Sequence, residues 1–259
     1  MAQDWNPSSY LRFEAERTQP ARDLLARVPL VSATRVVDLG CGPGNSTELL
    51  VERFASATIV GTDSSEAMLK TARERLPSCQ FEHSDVATWQ PSVAPELIFA
   101  NAVLHWVADH SRLLPRLLGA VATGGALAVQ MPDNLDEPSH RLMRDVAEDG
   151  PWASTLRGAA EARSAVLSAA AYYDLLAPEA KTVQVWRTVY HHPLASPAAI
   201  VAWLQSSGLR PFIDPLTEPE RAAFLSEYEV RIARAYPARA DGRRLLAFPR
   251  LFIVALRAD

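Results

Sequence analysis

The stretch Val36-Val37-Asp38-Leu39-Gly40-Cys41-Gly42-Pro43-Gly44-Asn45 decides the fold. Val36 and Val37 are β-branched and apolar, which suits a strand covered on both faces. Gly40, Gly42 and Gly44 let the backbone turn tightly and leave no side chain between it and a ligand. Ser46 and Thr47 favour a helix start, and Glu48 to Phe54 carries the apolar spacing of a helix facing a sheet. Strand, glycine turn and helix follow one another as in open α/β sheets, which bind ligands beyond the strand ends.

Spacing and charge narrow the ligand. A dinucleotide site calls for glycines at G-x-G-x-x-G with pyrophosphate on the helix N-terminus. This run is one residue short, and Asn45 stands next. Asp38 would repel pyrophosphate at the strand end. A phosphate-free cofactor with a cationic amino-acid end suits it better. S-adenosylmethionine carries an ammonium, a carboxylate and a sulfonium.

The alternation continues on both sides of the loop. Strands are expected at 35–39, 58–62, 80–83, 96–100 and 126–130, with helices at 46–54, 64–76 and 113–121 between them. Before them, Pro20 to Val28 reads as an amphipathic helix closed by Pro29, behind an aromatic tail that holds Trp5 and Tyr10. Beyond Pro132 the texture changes. Helices are expected at 138–148, 197–205 and 218–236, and strands at 182–190 and 247–255. Residues 1–259 read as one domain, with insertions near 149–180 and 193–243 forming a helical cap. The stretch 149–171 matches no motif. The alternation of strands and helices calls for a parallel, doubly wound sheet.

Acids recur at the strand ends. Asp63 closes the second strand about twenty residues after the glycine turn, where a carboxylate accepts from both ribose hydroxyls. The alternative is a cap for the helix that begins at Ser64, but the coincidence with the glycine turn favours the ribose. Asp85, followed by Val86, closes the third strand and suits an adenine amino group or a plain turn. Asn101 closes the fourth, followed by His105 and Trp106, with Trp106 either covering the cofactor or filling the core. These ends fit a cationic, nucleoside-containing cofactor.

With these residues the chain resembles the class I S-adenosylmethionine-dependent methyltransferases. Asp38 to Gly44 matches their first motif and Asp63 their ribose acid. The resemblance runs nearly end to end. Asp4-Trp5-Asn6-Pro7, Ala128 to Asn134, Tyr172-Tyr173-Asp174, Gly208-Leu209-Arg210-Pro211 and Leu246 to Ala255 are similar to members that esterify a small polycarboxylic acid. It implies a Rossmann-like, mostly parallel seven-stranded sheet with an antiparallel C-terminal strand. It also implies S-adenosylmethionine bound by Asp38, Gly40, Gly42, Gly44, Asn45, Asp63, Ser64, Asp85, Val86, Asn101 and Trp106.

The acceptor would be a carboxylate. Such a group, with an ordinary pKa near 4, is already ionised at neutral pH. No general base is then needed, and the chain has no Ser-His-Asp or Cys-His arrangement to supply one. Catalysis would rest on positioning and exclusion of water. Candidates for holding the acid are Trp5, Tyr10, Arg17, His105, Gln130, Arg144, Tyr172, Arg187, His191 and Arg210, since arginine forks match carboxylates. Arg250, in an apolar strand beside Pro249, reads as structural. Another metabolite as acceptor, and a non-catalytic sensor of S-adenosylmethionine, are the competing readings.

The bulk numbers exclude other classes. A net charge of -4 offers no general attraction to nucleic acid or an anionic membrane. Strand four also lacks the Asn/Asp-Pro-Pro-aromatic run that holds a flipped base. Cys41 and Cys79 form no metal-type or redox-type pair, and His191-His192 have no third ligand at suitable spacing, so no metal is expected. No apolar run reaches membrane-span length. A cytoplasmic monomer acting on a small molecule is the expectation.

Overall fold

The computed structural model describes residues 14–163 and 165–259. The candidates Trp5 and Tyr10 lie outside them. The described residues divide into two compact units, one reaching to 132 with 166–188 and 250–259, the other 133–165 with 189–249.

The larger unit is built on the sheet. The strands are β1 (Arg35–Leu39), β2 (Thr58–Asp63), β3 (Gln80–His83), β4 (Leu97–Asn101), β5 (Ala126–Pro132), β6 (Ala180–Leu194) and β7 (Arg244–Arg257), in the order β3-β2-β1-β4-β5-β7-β6, with β6 belonging to this unit up to residue 188 and β7 from residue 250. The first five pair in parallel, and β7 runs antiparallel to β5. The doubly wound sheet with a returning last strand is therefore present. Register places Val60, Val37, Ile98, Leu127 and Ala255 side by side across five strands. All five are buried in one apolar cluster. Both faces are covered, which is why these strands read as continuous apolar runs rather than alternating ones.

Helices α1 (Glu14–Ala26), α2 (Asn45–Arg53), α3 (Glu66–Arg75), α4 (His110–Ala120) and, after the smaller unit's α5 (Pro138–Asp149), α6 (Ala169–Leu176) accompany the strands. Two starts differ from the sequence reading. α1 begins six residues before Pro20 and keeps that proline inside. α4 begins at His110 and contains Pro115. Proline and polar residues look like breakers, but buried Arg17, Thr18 and Ala21 on α1 and Leu113, Leu114, Leu117 and Leu118 on α4 favour the helix through packing. Arg53 holds the end of α1 by donating to the carbonyls of Leu25, Val28 and Leu30.

The smaller unit contains α5, a single 3₁₀ turn (Ala159–Ala162), α7 (Pro197–Gln205), α8 (Arg210–Ile213) and α9 (Glu218–Ala235). Thr217 and Glu220 form a reciprocal cap at the start of α9. Tyr228 donates to the Ser139 carbonyl at 2.9 Å, and Tyr236 accepts the Ser139 amide at 3.1 Å. Both bonds pin α9 to the first turn of α5. One of the two compact units takes in 133–165 and 189–249, while 166–188 belongs with the sheet.

Candidate active site

The glycine loop is shaped from within. Gly40, Gly42 and Gly44 all have positive φ, at 75°, 54° and 94°. A Cβ on Gly40 would stand 2.3 Å from Val103 Cγ2, whereas one on Gly42 would meet nothing within 4 Å. Gly40 therefore allows the β4 loop to approach, and Gly42 leaves backbone bare toward open space. The amides of Gly40 and Cys41 donate to the Thr62 carbonyl at 2.8 and 2.9 Å. Gly44 does not face that space. It caps α2, and a Cβ there would touch Ala72 of α3 at 3.5 Å.

The loop borders a cleft of about 240 Å³ at the C-terminal ends of β1, β2 and β4. Gly40, Gly42, Asn45, Asp63, Ser64, Asp85, Val86, Asn101 and Trp106 all line it. Arg17 lines it too, carried by α1 together with Thr18 and Ala21. Asp63 accepts the Gly42 amide on Oδ2 and the Ser65 amide on Oδ1, each at 2.9 Å. Asp85 Oδ1 accepts the Ala87 amide at 2.8 Å. Arg116 braces this turn by donating to the carbonyls of Val86 and Ala87 at 2.9 and 3.1 Å. Asn45 Nδ2 donates to Glu14 and Thr18 of α1 at 3.2 and 3.3 Å, so the helix and the loop form one wall.

Asp38 takes a different place from the one expected. It is fully buried and absent from the cleft surface. Its Oδ2 accepts from Ser46 Oγ and Thr47 Oγ1, both at 2.7 Å. Burial pushes its pKa from 3.8 to about 6, against the lowering effect of the Thr47 and Ser46 hydroxyls. Its Oδ2 fastens the loop to the first turn of α2, while its Oδ1 is buried without a hydrogen-bond partner. Cys41 lines the cleft, but burial, then the carboxylates of Asp38 and Asp63, push its thiol far above the ordinary range, so it supplies no thiolate.

Several acceptor candidates lie elsewhere. Tyr172 is completely buried and accepts the Leu167 amide at 3.2 Å. Its hydroxyl stands 2.6 Å from His110 Nδ1, and His110 Nε2 stands 2.9 Å from the Leu104 carbonyl. With the proton on Nε2, the tyrosine donates to the histidine and the histidine to Leu104. Tyr172 thus braces from behind the turn that carries Trp106. His105 is buried against the Trp106 ring, 4.9 Å between centroids, and does not line the cleft. Gln130 is fully buried and accepts from Arg250 Nη1 at 3.1 Å. Arg187 and His191 are exposed on β6. Arg210 is paired with Asp214 at 3.1 Å. Arg144 lies in the smaller unit and lines a separate small pocket there. Of the described acceptor candidates, only Arg17 lines the cleft.

Sequence reasoning missed Thr18, Ser46 and Val103 on the cleft, and Arg163 in the small pocket. Thr18 was legible in principle, since residues 17, 18 and 21 share a helix face once the helix is extended past Pro20. The others carry no local signal.

The cleft fits a nucleoside with a charged amino-acid tail. Among the described residues it offers the carboxylates of Asp63 and Asp85, the Arg17 guanidinium, bare backbone at Gly42, and Asn101 Oδ1, which is buried without a hydrogen-bond partner. Residues 36–125 match the family model described as methyltransferase domain. Among solved structures, the chain is similar to the YcgJ protein of Bacillus subtilis, with a TM-score of 0.61 and 11% identity over 93% of this chain and 99% of that one. It is also similar to a Haemonchus contortus phosphoethanolamine N-methyltransferase 2 in complex with S-adenosyl-L-methionine, with a TM-score of 0.55 and 15% identity over 93% and 53%. Sheet order, loop and cleft define a class I S-adenosylmethionine-dependent methyltransferase. Relatives named trans-aconitate 2-methyltransferase are 61% identical in Variovorax paradoxus, over 97% of this chain and 98% of theirs, and 60% identical in Paracidovorax citrulli, over 98% and 99%. The chain belongs to the trans-aconitate 2-methyltransferase family.

Proposed function

We propose that the protein methylates a carboxylate of trans-aconitate, giving its monomethyl ester and S-adenosylhomocysteine. The observation that carries this reading is the near-full-length identity of about 60% to relatives named for that reaction. Bound in the cleft, S-adenosylmethionine supplies a methyl group on a sulfonium, which an ionised carboxylate takes directly while the bonding pair stays on sulfur.

The chain's own residues hold and orient. Asp63 accepts from the ribose hydroxyls at the lip of the glycine loop, while Asp85 and Val86 meet the adenine. Asn101 Oδ1 accepts from the ammonium, and the bare Gly42 backbone admits the ligand closely. Arg17 pairs with a carboxylate, either of the cofactor's amino-acid end or of the acceptor. Trp106 covers the cofactor and excludes water. No side chain takes a proton, since the acceptor is already ionised.

We also read 1–259 as a single methyltransferase domain with cap insertions near 149–180 and 193–243, and the protein as a cytoplasmic monomer without a nucleic-acid partner. Its net charge of -4 and its two free cysteines support the latter. Among the described residues no helix is long and apolar enough to cross a membrane. The test is incubation of purified protein with methyl-labelled S-adenosylmethionine and trans-aconitate. A labelled monomethyl ester is expected. Absence of product with trans-aconitate, alongside turnover of another acid, would replace the acceptor assignment.

A further inference from the structure

The connection between β3 and β4 runs from 84 to 96 without helix or strand, so its backbone groups must find partners outside any ladder. It belongs to the larger unit, as does α4. Asp85 gathers the amides of the turn that follows it. Its Oδ1 accepts from Ala87 at 2.8 Å, and its carbonyl accepts from Thr88 and Trp89 at 3.1 and 2.8 Å. The Val86 amide has no acceptor among the described residues. The carbonyls of the same turn converge on one side chain. Arg116 of α4 donates from Nη2 to Val86 and Ala87 at 2.9 and 3.1 Å, and from Nη1 to Trp89. The helix that carries it is itself fixed: Leu113, Leu114, Leu117 and Leu118 are buried in the apolar cluster that also takes Val86 and Trp89. Asp85 and Val86 line the cleft, whereas Arg116 stands behind them.

We infer that Arg116 is a positioning residue for recognition of the base: by fixing the Val86, Ala87 and Trp89 carbonyls, it sets the Asp85 carboxylate and the Val86 amide against the edge of the adenine. The inference rests on the assignment of Asp85 and Val86 to the adenine made above. Adenine presents an amine donor beside a ring-nitrogen acceptor on its Watson–Crick edge. A carboxylate and the next amide along the chain are the matching acceptor and donor. Hypoxanthine presents the reverse pair, a carbonyl beside a ring N–H, and leaves both groups of the turn unmatched. Discrimination between the two bases then depends on how firmly those groups are held. Ala87 and Thr88 are exposed, so water can replace the guanidinium at the carbonyls without fixing their direction. Loss of Arg116 should therefore loosen the turn and spare the fold.

Calorimetry with S-adenosylhomocysteine and with its deaminated analogue, which carries hypoxanthine in place of adenine, tests this on wild type, Arg116→Ala and Arg116→Lys. Wild type should prefer the adenine ligand by about 100-fold. Arg116→Ala should lower that preference to about 10-fold or less, by weakening the adenine ligand and leaving the analogue within about threefold. Arg116→Lys, whose ammonium still reaches some of the carbonyls, should fall between. Thermal unfolding checks the fold, and Arg116→Lys carries the test if Arg116→Ala fails to fold. Equal weakening of both ligands marks a merely structural arginine, so a preference within twofold of wild type in the folded variants overturns the inference while the adenine assignment stands. Wild type that binds S-adenosylhomocysteine without preferring it removes Asp85 and Val86 from the adenine and overturns the inference with them. Wild type that binds neither ligand overturns the cofactor reading itself.

Discussion

Asp63 holds Gly42: its Oδ2 accepts the Gly42 amide at 2.9 Å, while its Oδ1 accepts the Ser65 amide at the same distance. One carboxylate therefore ties the glycine loop after β1 to the start of α3, and its side chain lines the cleft. On the function proposed above, loop order and cofactor affinity are coupled through this side chain.

Asp63→Ala should weaken S-adenosylmethionine binding by about 10–100-fold, the equivalent of ~1.4–2.8 kcal/mol. It also strips two backbone donors of their acceptor, so the unfolding free energy should fall by about 1–3 kcal/mol. Isothermal calorimetry and urea titration read the two effects separately. Unchanged cofactor affinity would remove Asp63 from the ribose site.

The glycines should separate by readout. Gly40→Ala combines positive φ with a clash against Val103 Cγ2 at 2.3 Å, so a stability loss of about 2–5 kcal/mol is expected. Gly42→Ala meets no protein atom within 4 Å and should cost only the backbone strain of about 1–2 kcal/mol. The new methyl nonetheless projects toward ligand, so cofactor affinity should drop at least tenfold. Melting temperature and cofactor titration on both variants check the contrast.

Asp38 makes the fold sensitive to mild acid in an unusual direction. Its folded pKa of about 6 lies above its ordinary value of 3.8, so between those values the folded chain binds the proton more tightly than the unfolded one. The resulting stabilisation is full below pH ~4 and is lost as pH rises through about 6. The interval corresponds to a loss of about 3 kcal/mol at neutral pH. Asp38→Asn removes the charge and should lack this component. Urea titrations at pH 4 to 7 on both proteins give the difference, and parallel pH profiles would contradict the assignment.

Tyr172→Phe should act on stability and leave acceptor binding alone. The hydroxyl joins His110 Nδ1 and the Leu167 amide inside the core, so its loss should cost about 1–3 kcal/mol. The KM for trans-aconitate should stay within twofold of wild type. A large KM increase with normal stability would return Tyr172 to the acceptor site.

The strand, glycine turn and helix were legible in residues 36–54 because each is a local matter. β-branched runs favour strands, and glycine alone accepts the turn's positive φ without strain. Strand-end residues are legible for the same reason: a strand's last position in a doubly wound sheet faces the ligand side whatever else the chain does. Hence Asp63, Asp85 and Asn101 could be placed on the cleft from sequence, and they line it. Side-chain destinations are not local. Gln130 reads as an active-site residue at the end of β5, yet its oxygen accepts from Arg250, 120 positions away, across the β5–β7 pair. Asp38 reads as a ligand to the cofactor; the first turn of α2 supplies its Oδ2 with two hydroxyl partners, and its Oδ1 is buried without one. Residue type and period thus determined that this chain builds a nucleoside cleft on a parallel sheet. Which polar groups face that cleft, and which are consumed behind it, was decided by packing, because a buried polar atom must find its partner wherever the fold brings one within reach.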